Sequence, residues 1–334
     1  MSIVYLTTMG SSVRRRGDRL QVWKDSTKIA DLRLFELERL VVFGTVQFSS
    51  QALALLLDRG IDVAFLTGRG RLRGTLVAGQ SRNVFLRLAQ FDRWKDEGFR
   101  LAFSRNIVNA KLTAQERMIV RYERNHPGSL TSTAEKRILS VLEKTRSATT
   151  LDELRGFEGS GAAAYYSQFG RMLTSFEFPG RKKHPSTDPV NALLSLGYVL
   201  LTNEIAALLE ARGFDPAVGF FHGVRYGRQS LSLDLVEPFR QPVIDRLTLR
   251  LFNRGQATSD DFEGGEQGMR LVPDAFRRYL SSYEEQLGSP SEGPDTPTWR
   301  EQLRLQAEAL REMVMDGTPS TVYTWTGRRS TSTP

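Results

Sequence analysis

A chain of 334 residues, 40% hydrophobic and 25% charged, is long enough for two domains and a sizeable core. Lys and Arg exceed Asp and Glu by 46 − 38 = 8, which suits contact with a polyanion and is silent on fold. With no cysteine, disulfides, thiolate metal sites and cysteine nucleophiles are excluded, so any metal must be held by oxygen and nitrogen.

In chain order, the first 80 residues read as β-rich. Ile3–Thr8 is a short strand, and Val13–Trp23 forms a hairpin turning at Arg16-Gly17-Asp18. Leu40–Phe48 is a further strand region. Ser49 and Ser50 cap a helix over Gln51–Arg59, closed by Gly60, and Ile61–Leu66 is a buried-type strand. The basic turn Gly68–Gly74 lacks the Gly-Lys-Ser/Thr ending of a phosphate loop, so that assignment is rejected.

From Asn83 the period becomes helical, with pieces at Phe85–Phe91, Phe99–Asn109, Ala114–Arg124, Ala134–Leu142 and Leu151–Leu154. The glycines around Glu158 read as a tight turn at the mouth of a helix running through Leu173, where an acid can cap the helix or project into a site. Phe178–Pro189 is a basic, proline-punctuated loop suited to phosphate contact, and Asp188-Pro189 starts an apolar helix over Val190–Leu209.

Gly219–Arg240 gathers His222, Asp234, Glu237 and several arginines. Leu231, Leu233 and Leu235 alternate with polar residues, and then Phe239, Val243, Leu247 and Leu251 recur every four, so a polar turn feeds a buried helix. His and carboxylates on adjacent elements can bind a hard divalent cation, whereas Asp234-x-x-Glu237 also has the form of a capping box.

The expected architecture is α+β: a β-rich, β-sandwich-like domain over 1–80 and a larger all-α-helical catalytic domain over 81–287. A linker at 288–298, a helix at 299–315 and a disordered tail at 316–334 complete it. No stretch reads as long enough to span a membrane and no apolar signal region opens the chain. The expected location is the cytoplasm, without a membrane partner.

Three stretches in order carry a resemblance: Gly156-Phe-Glu158-Gly; Asp188-Pro-Val-Asn191 through Tyr198; and Asp215-Pro through His222, followed by Ser230-Leu-x-x-Asp234-Leu-x-Glu237-x-Phe-Arg240 and Asp245-Arg. Together with Phe43-Gly44 and Gly60-Ile-Asp-Val, they resemble the CRISPR-associated Cas1 family, the spacer-acquisition integrases of antiviral defence. The likeness runs from about Ile3 to Leu287. Thr45 departs from it where that family often has asparagine, and Ala114 where a polar residue is expected after Lys111-Leu-Thr.

The resemblance implies a metal-dependent DNA integrase and endonuclease that holds Mg²⁺ or Mn²⁺ with Glu158, His222 and Glu237. Asp234, Asp245 and Tyr165 are auxiliary candidates, and Arg181, Lys182, Lys183, Arg225 and Arg228 are candidates for DNA contact, with His184 in the same loop as Lys183. The implied partners are protospacer and repeat DNA, a second copy through the β-rich domain, and a small subunit bridging two dimers. A casposon-type transposase or repair nuclease with the same site, and a non-catalytic DNA-binding scaffold, are the alternatives.

Overall fold

The computed structural model describes residues 2–68, 70, 72–77, 83–182, 185–265, 268–320 and 322–327. The chain divides into two compact units, Met1–Arg82 and Asn83–Pro334. The first is strand-rich and the second mostly helical.

The first unit holds β1 (Ser2–Leu6), β2 (Ser11–Arg16), β3 (Arg19–Lys24), β4 (Thr27–Arg33), β5 (Leu37–Phe43), β6 (Val46–Phe48), helix α1 (Ser50–Asp58), β7 (Asp62–Leu66) and β8 (Leu72–Leu76). One sheet has the order β1-β5-β7-β8, with β5 parallel to both its neighbours; the other runs β4-β3-β2-β6. The expected hairpin is β2–β3, where Arg16 pairs with Arg19 across Gly17-Asp18 and Gly17 takes φ +60°. A second two-residue turn, Asp25-Ser26, has positive φ at both positions, the geometry that matches strand twist. The single strand region expected over Leu40–Phe48 is two strands in different sheets, separated at Gly44, whose φ is +74°. Val13, Leu20 and Val22 from one sheet, Leu40, Val42 and Val63 from the other, and Leu55 and Leu56 of α1 share one core.

The second unit holds α2 (Val84–Lys95), α3 (Glu97–Asn125), α4 (Ser132–Arg146), α5 (Leu151–Phe169), α6 (Pro189–Arg212), α7 (Ser230–Val236), α8 (Arg246–Asn253), the two-residue strands β9 (Phe262–Glu263) and β10 (Arg270–Leu271), α9 (Pro273–Gly288) and α10 (Trp299–Asp316). α3 is one 29-residue helix where the sequence suggested two pieces. α5 is likewise continuous through Gly156, Gly159 and Gly161, because Thr150 and Glu153 form a capping box at its true start. Gly161 is required by proximity: a Cβ there would lie 2.1 Å from Leu112 Cδ2 of α3.

α6 starts at the Asp188 cap with Pro189 in the first turn, and it stops at Gly213 with φ +100°. Contrary to the sequence expectation, α6 is long and apolar enough to cross a membrane, but two-thirds of its apolar window is buried within this unit, where it is a core helix. The alternating Leu231, Leu233 and Leu235 lie in α7 rather than a strand. A 3₁₀ turn over Glu237–Phe239 and a π-helical segment over Arg240–Asp245 then lead into α8.

The C-terminal expectations also change. Residues 288–298 form an ordered loop closed by a Pro290–Thr298 bridge, with Ser291 buried and Thr296 bonding Gly293. The tail is packed as far as it is described: Val322 and Trp325 are buried, and Tyr323 stacks on Phe239 with ring centroids 5.2 Å apart. Apolar aromatic side chains inside a polar stretch give it surface to bury, which its Thr/Ser/Gly composition masked.

Candidate active site

Four side chains from four segments converge in the helical unit: Lys111 of α3, Glu158 of α5, His222 of the loop after α6, and Glu237 at the end of α7. Glu158, Gly161 and Tyr165 share a face of α5, and the Gly161–Leu112 approach sets how near that face comes to α3. On α3 the buried positions Phe103, Ile107, Lys111 and Gln115 recur every four residues, so Lys111 stands on the core stripe.

The Lys111 ammonium bonds Glu158 Oε1 and lies 2.7 Å from Glu237 Oε2. Its approach to Glu237 is off the hydrogen-bonding direction, so that buried oxygen keeps an unmatched lone pair. Arg240 Nη1 is 3.0 Å from Glu237 Oε1. Burial opposes ionisation of Glu237, yet the pull of Arg240 and Lys111 outweighs it and holds the carboxyl below its ordinary range. Burial equally opposes the charge of Lys111, and Glu237 and Glu158 reverse that, raising its pKa. Glu237 and Lys111 form the floor at 2% and 6% exposure, while Glu158 at 24% and His222 at 20% open to solvent.

His222 is positioned by Asp234, which is fully buried. Asp234 Oδ2 accepts the N–H groups of Phe220 and Phe221 at 2.7 and 3.0 Å, and Oδ1 accepts the N–H of His222 at 2.8 Å. The His222 Nδ1 is 2.7 Å from that same Oδ1. An ionised carboxylate oxygen can only accept, so Nδ1 carries a proton and Nε2 is left facing Glu237. Gly219 lets the loop turn here, since a Cβ would meet the Ser230 carbonyl carbon at 2.6 Å and His222 O at 2.8 Å. Gln90 of α2 ties down the loop's start, through Asp215 and Val218. Asp234 and Glu237 therefore cap no helix.

His222 Nε2 faces Glu237 Oε1 at 3.8 Å. That juxtaposition, the unmatched Glu237 oxygen and an all-oxygen-and-nitrogen donor set fit a hard divalent ion. As they stand, with Lys111 bonded to the carboxylates, no three His, Asp or Glu groups among the described residues already close into a ligand cluster.

The other predicted residues fall elsewhere. Asp245 accepts from Tyr165 at 2.8 Å and from Tyr198, which also bonds Tyr166. Burial pushes the Asp245 carboxyl up to about 6, against the hydrogen bonds from Tyr198 and Tyr165. This cluster adjoins the site through Arg240, whose guanidinium stacks 5.1 Å over the Tyr198 ring. Arg181 is bonded internally to Asn191 and Ser195, so its guanidinium braces the loop before α6. Lys182 and Arg225 are exposed and Arg228 is half-buried; Lys183 and His184 lie outside the described residues. Sequence reasoning missed Lys111, although a lysine on the apolar stripe of α3 was a readable signal; the Glu237–Arg240 pair has the i,i+3 spacing of a helical ion pair.

Comparison with known proteins settles the kinship. The family described as "CRISPR associated protein Cas1" matches residues 4–285. The chain belongs to the Cas1 family. A "CRISPR-associated endonuclease Cas1 1" of Chlorobaculum tepidum is 33% identical over 303 residues, covering 88% of both chains. A chain of a solved "Cas6-RT-Cas1--Cas2 complex" superposes with TM-score 0.84 at 25% identity; it covers 97% of this chain, which spans only 36% of that larger one. A "Casposase bound to integration product" has the same TM-score at 22% identity and covers 98% of this chain and 93% of its own, a likeness of fold alone. Membership of a family of Cas1 endonucleases places the four converging side chains in a nuclease or integrase.

Proposed function

We propose that this Cas1 protein joins new spacer DNA to a repeat array by metal-dependent transesterification, and nicks DNA when water replaces the DNA hydroxyl. The observation that carries this is that Glu158 and Glu237 meet on Lys111 while His222 Nε2 faces Glu237 at 3.8 Å. Those three would hold Mg²⁺ or Mn²⁺, which when bound polarises a phosphodiester and offsets charge developing on its oxygens.

The chain's own residues supply the rest. Asp234 fixes the His222 tautomer, and Arg240 keeps Glu237 ionised inside the protein. Lys182, Arg225 and Arg228, at or near the surface, contact DNA phosphates and make binding salt-dependent. The 3′-oxygen of the incoming strand bonds to phosphorus as the repeat's own P–O3′ bond breaks. The proton lost by the attacking hydroxyl is balanced by one gained by the leaving one. Bond types are conserved, so no energy donor is required.

The strand-rich unit forms the homodimer contact and a small subunit bridges two dimers in this scheme. The partner subunit has the support of the Cas1–Cas2 assembly named for the structural neighbour. Half-site integration of labelled duplex into a repeat substrate, with partner and Mn²⁺, tests the proposal. Glu158→Ala, His222→Ala and Glu237→Ala should each abolish joining, and normal joining by all three would refute it. A casposase-type or purely scaffolding role has no observation favouring it over this one.

A further inference from the structure

We propose that Lys111 is the resident cation of the carboxylate pair, and that a divalent ion binds Glu158 and Glu237 only by displacing its ammonium group. The inference rests on the metal-dependent activity proposed above. It concerns what the protein does before the metal arrives.

The geometry carries it. Lys111 Nζ touches one oxygen of each acid and is nearly buried, as Glu237 is, while Glu158 is partly open to solvent. The Glu237 oxygen nearest it is the one left without a hydrogen bond. The charges balance locally: Glu158 and Glu237 against Lys111 and Arg240. Arg240 reaches Glu237 from the opposite oxygen, so it does not occupy the space between the two acids. Lys111 does occupy it. An ion ligated by both carboxylates needs the lone pairs that face the ammonium, and two like charges so close repel.

A lysine can leave where an arginine could not. Its compact charge rides on a four-carbon stem with free rotation, and any acceptor within reach can take it. The phosphate of a bound DNA strand is such an acceptor. Lys111 then exchanges two carboxylates for a phosphodiester as the metal enters, so DNA and metal favour each other's binding. Thermodynamic linkage makes that coupling reciprocal. The carboxylate pair thus resists metal in the absence of DNA, a restraint on stray cleavage.

The test is Mn²⁺ binding to the full-length protein, followed by the electron paramagnetic resonance of the free ion, with and without a branched DNA duplex. Without DNA, Lys111→Met should bind Mn²⁺ about tenfold or more tightly than wild type. With DNA, wild type should gain affinity and Lys111→Met should gain little. Equal or weaker Mn²⁺ binding by a folded Lys111→Met overturns the proposal. If that variant does not fold, a wild-type crystal grown with Mn²⁺ decides. Lys111 Nζ drawn away from at least one carboxylate supports displacement. Mn²⁺ ligated by Glu158, His222 and Glu237 with Lys111 still bonded to both acids overturns displacement while leaving the metal-dependent activity standing. If Glu158→Gln binds Mn²⁺ as wild type does, the metal assignment falls, and this inference with it.

Discussion

Replacing Asp234 by asparagine should damage this protein more than its near-identical shape suggests. Each carboxylate oxygen accepts two donors: Oδ2 from Phe220 and Phe221, Oδ1 from the backbone and ring of His222. Asparagine keeps one oxygen, so in either rotamer its NH₂ group points at two N–H donors. If the oxygen stays with His222, the Phe220 and Phe221 amides lose their acceptor. If it turns to them, the ring loses the contact that sets its tautomer. Two bonds to a charged group are lost at about 1.5–3 kcal/mol each, roughly 3–6 kcal/mol in total. Local opening of the 213–229 loop caps the loss seen globally. Gln90, Arg100 and Arg155 also hold this loop, so an unfolding deficit of about 3 kcal/mol is the expected value. Urea denaturation measures it, and ¹⁵N correlation spectra of the imidazole report the tautomer. Metal affinity should fall about 10–100-fold, as for other partners of ligating histidines. A deficit under about 1 kcal/mol with the Nδ1–H tautomer retained would refute the clamp.

Three further outcomes follow from the same contacts. Glu237→Ala should cost about 3–5 kcal/mol in urea denaturation, because it strands Lys111 and Arg240; Glu158→Ala, at an exposed rim, should cost far less, and equal losses would contradict the floor-and-rim arrangement. Asp245 has a folded pKa of about 6 against 3.8 unfolded. Its stabilisation is therefore complete below the unfolded value and lost as pH rises through about 6. The shift of 6 − 3.8 amounts to about 3 kcal/mol. The stability of wild type relative to Asp245→Asn should decline by about that much between roughly pH 4 and pH 7, and a flat difference would rule it out. Gly161→Ala gains about 1 kcal/mol of helix propensity but overpacks Leu112 by about 1–3 kcal/mol. A double-mutant cycle with Leu112→Ala should show coupling above about 0.5 kcal/mol; additive losses would mean that the helices simply move apart.

Much of the scaffold was readable. The change of hydrophobic period near residue 80, the Ser49 cap, the β2–β3 turn and the α6 boundaries at Asp188 and Gly213 all rest on local chemistry, and the structure has them. The errors arose where local signals compete. Glycines at 156, 159 and 161 imitate a turn, but at least Gly161 serves a close helix approach that only tertiary packing reveals. Leu231, Leu233 and Leu235 alternate, yet Leu231 and Leu235 are also one helical turn apart, and five residues cannot separate the two periods. Membrane-span length was missed in α6 because its polar Asn191 and Ser195 drew the eye from its overall apolarity.

At the site, the resemblance pointed to Glu158, His222 and Glu237; the structure sets both glutamates on Lys111 and His222 Nε2 3.8 Å from Glu237, with no ligand cluster closed among the described residues. The resemblance could not supply Lys111, which belongs to no pattern shared with them and meets them only across the α3–α5 approach. Asp234 was expected as an auxiliary acid. Its oxygens are instead all spent on the His222 loop, a role that no spacing in the chain announces.

The tail has a bearing on how the protein is made. Tyr323 stacks on Phe239, two residues after Glu237, and Trp325 lies under the guanidinium of Arg246. These contacts join the chain's last described residues to the segment that carries Glu237. During synthesis residues 83–320 emerge from the ribosome first, with the surface that awaits Tyr323 and Trp325 still wet. Phe239 and Arg246 therefore gain these ring contacts only after residue 325 has cleared the tunnel, and a C-terminally clipped chain would leave Phe239, two residues from Glu237, without its stacked partner.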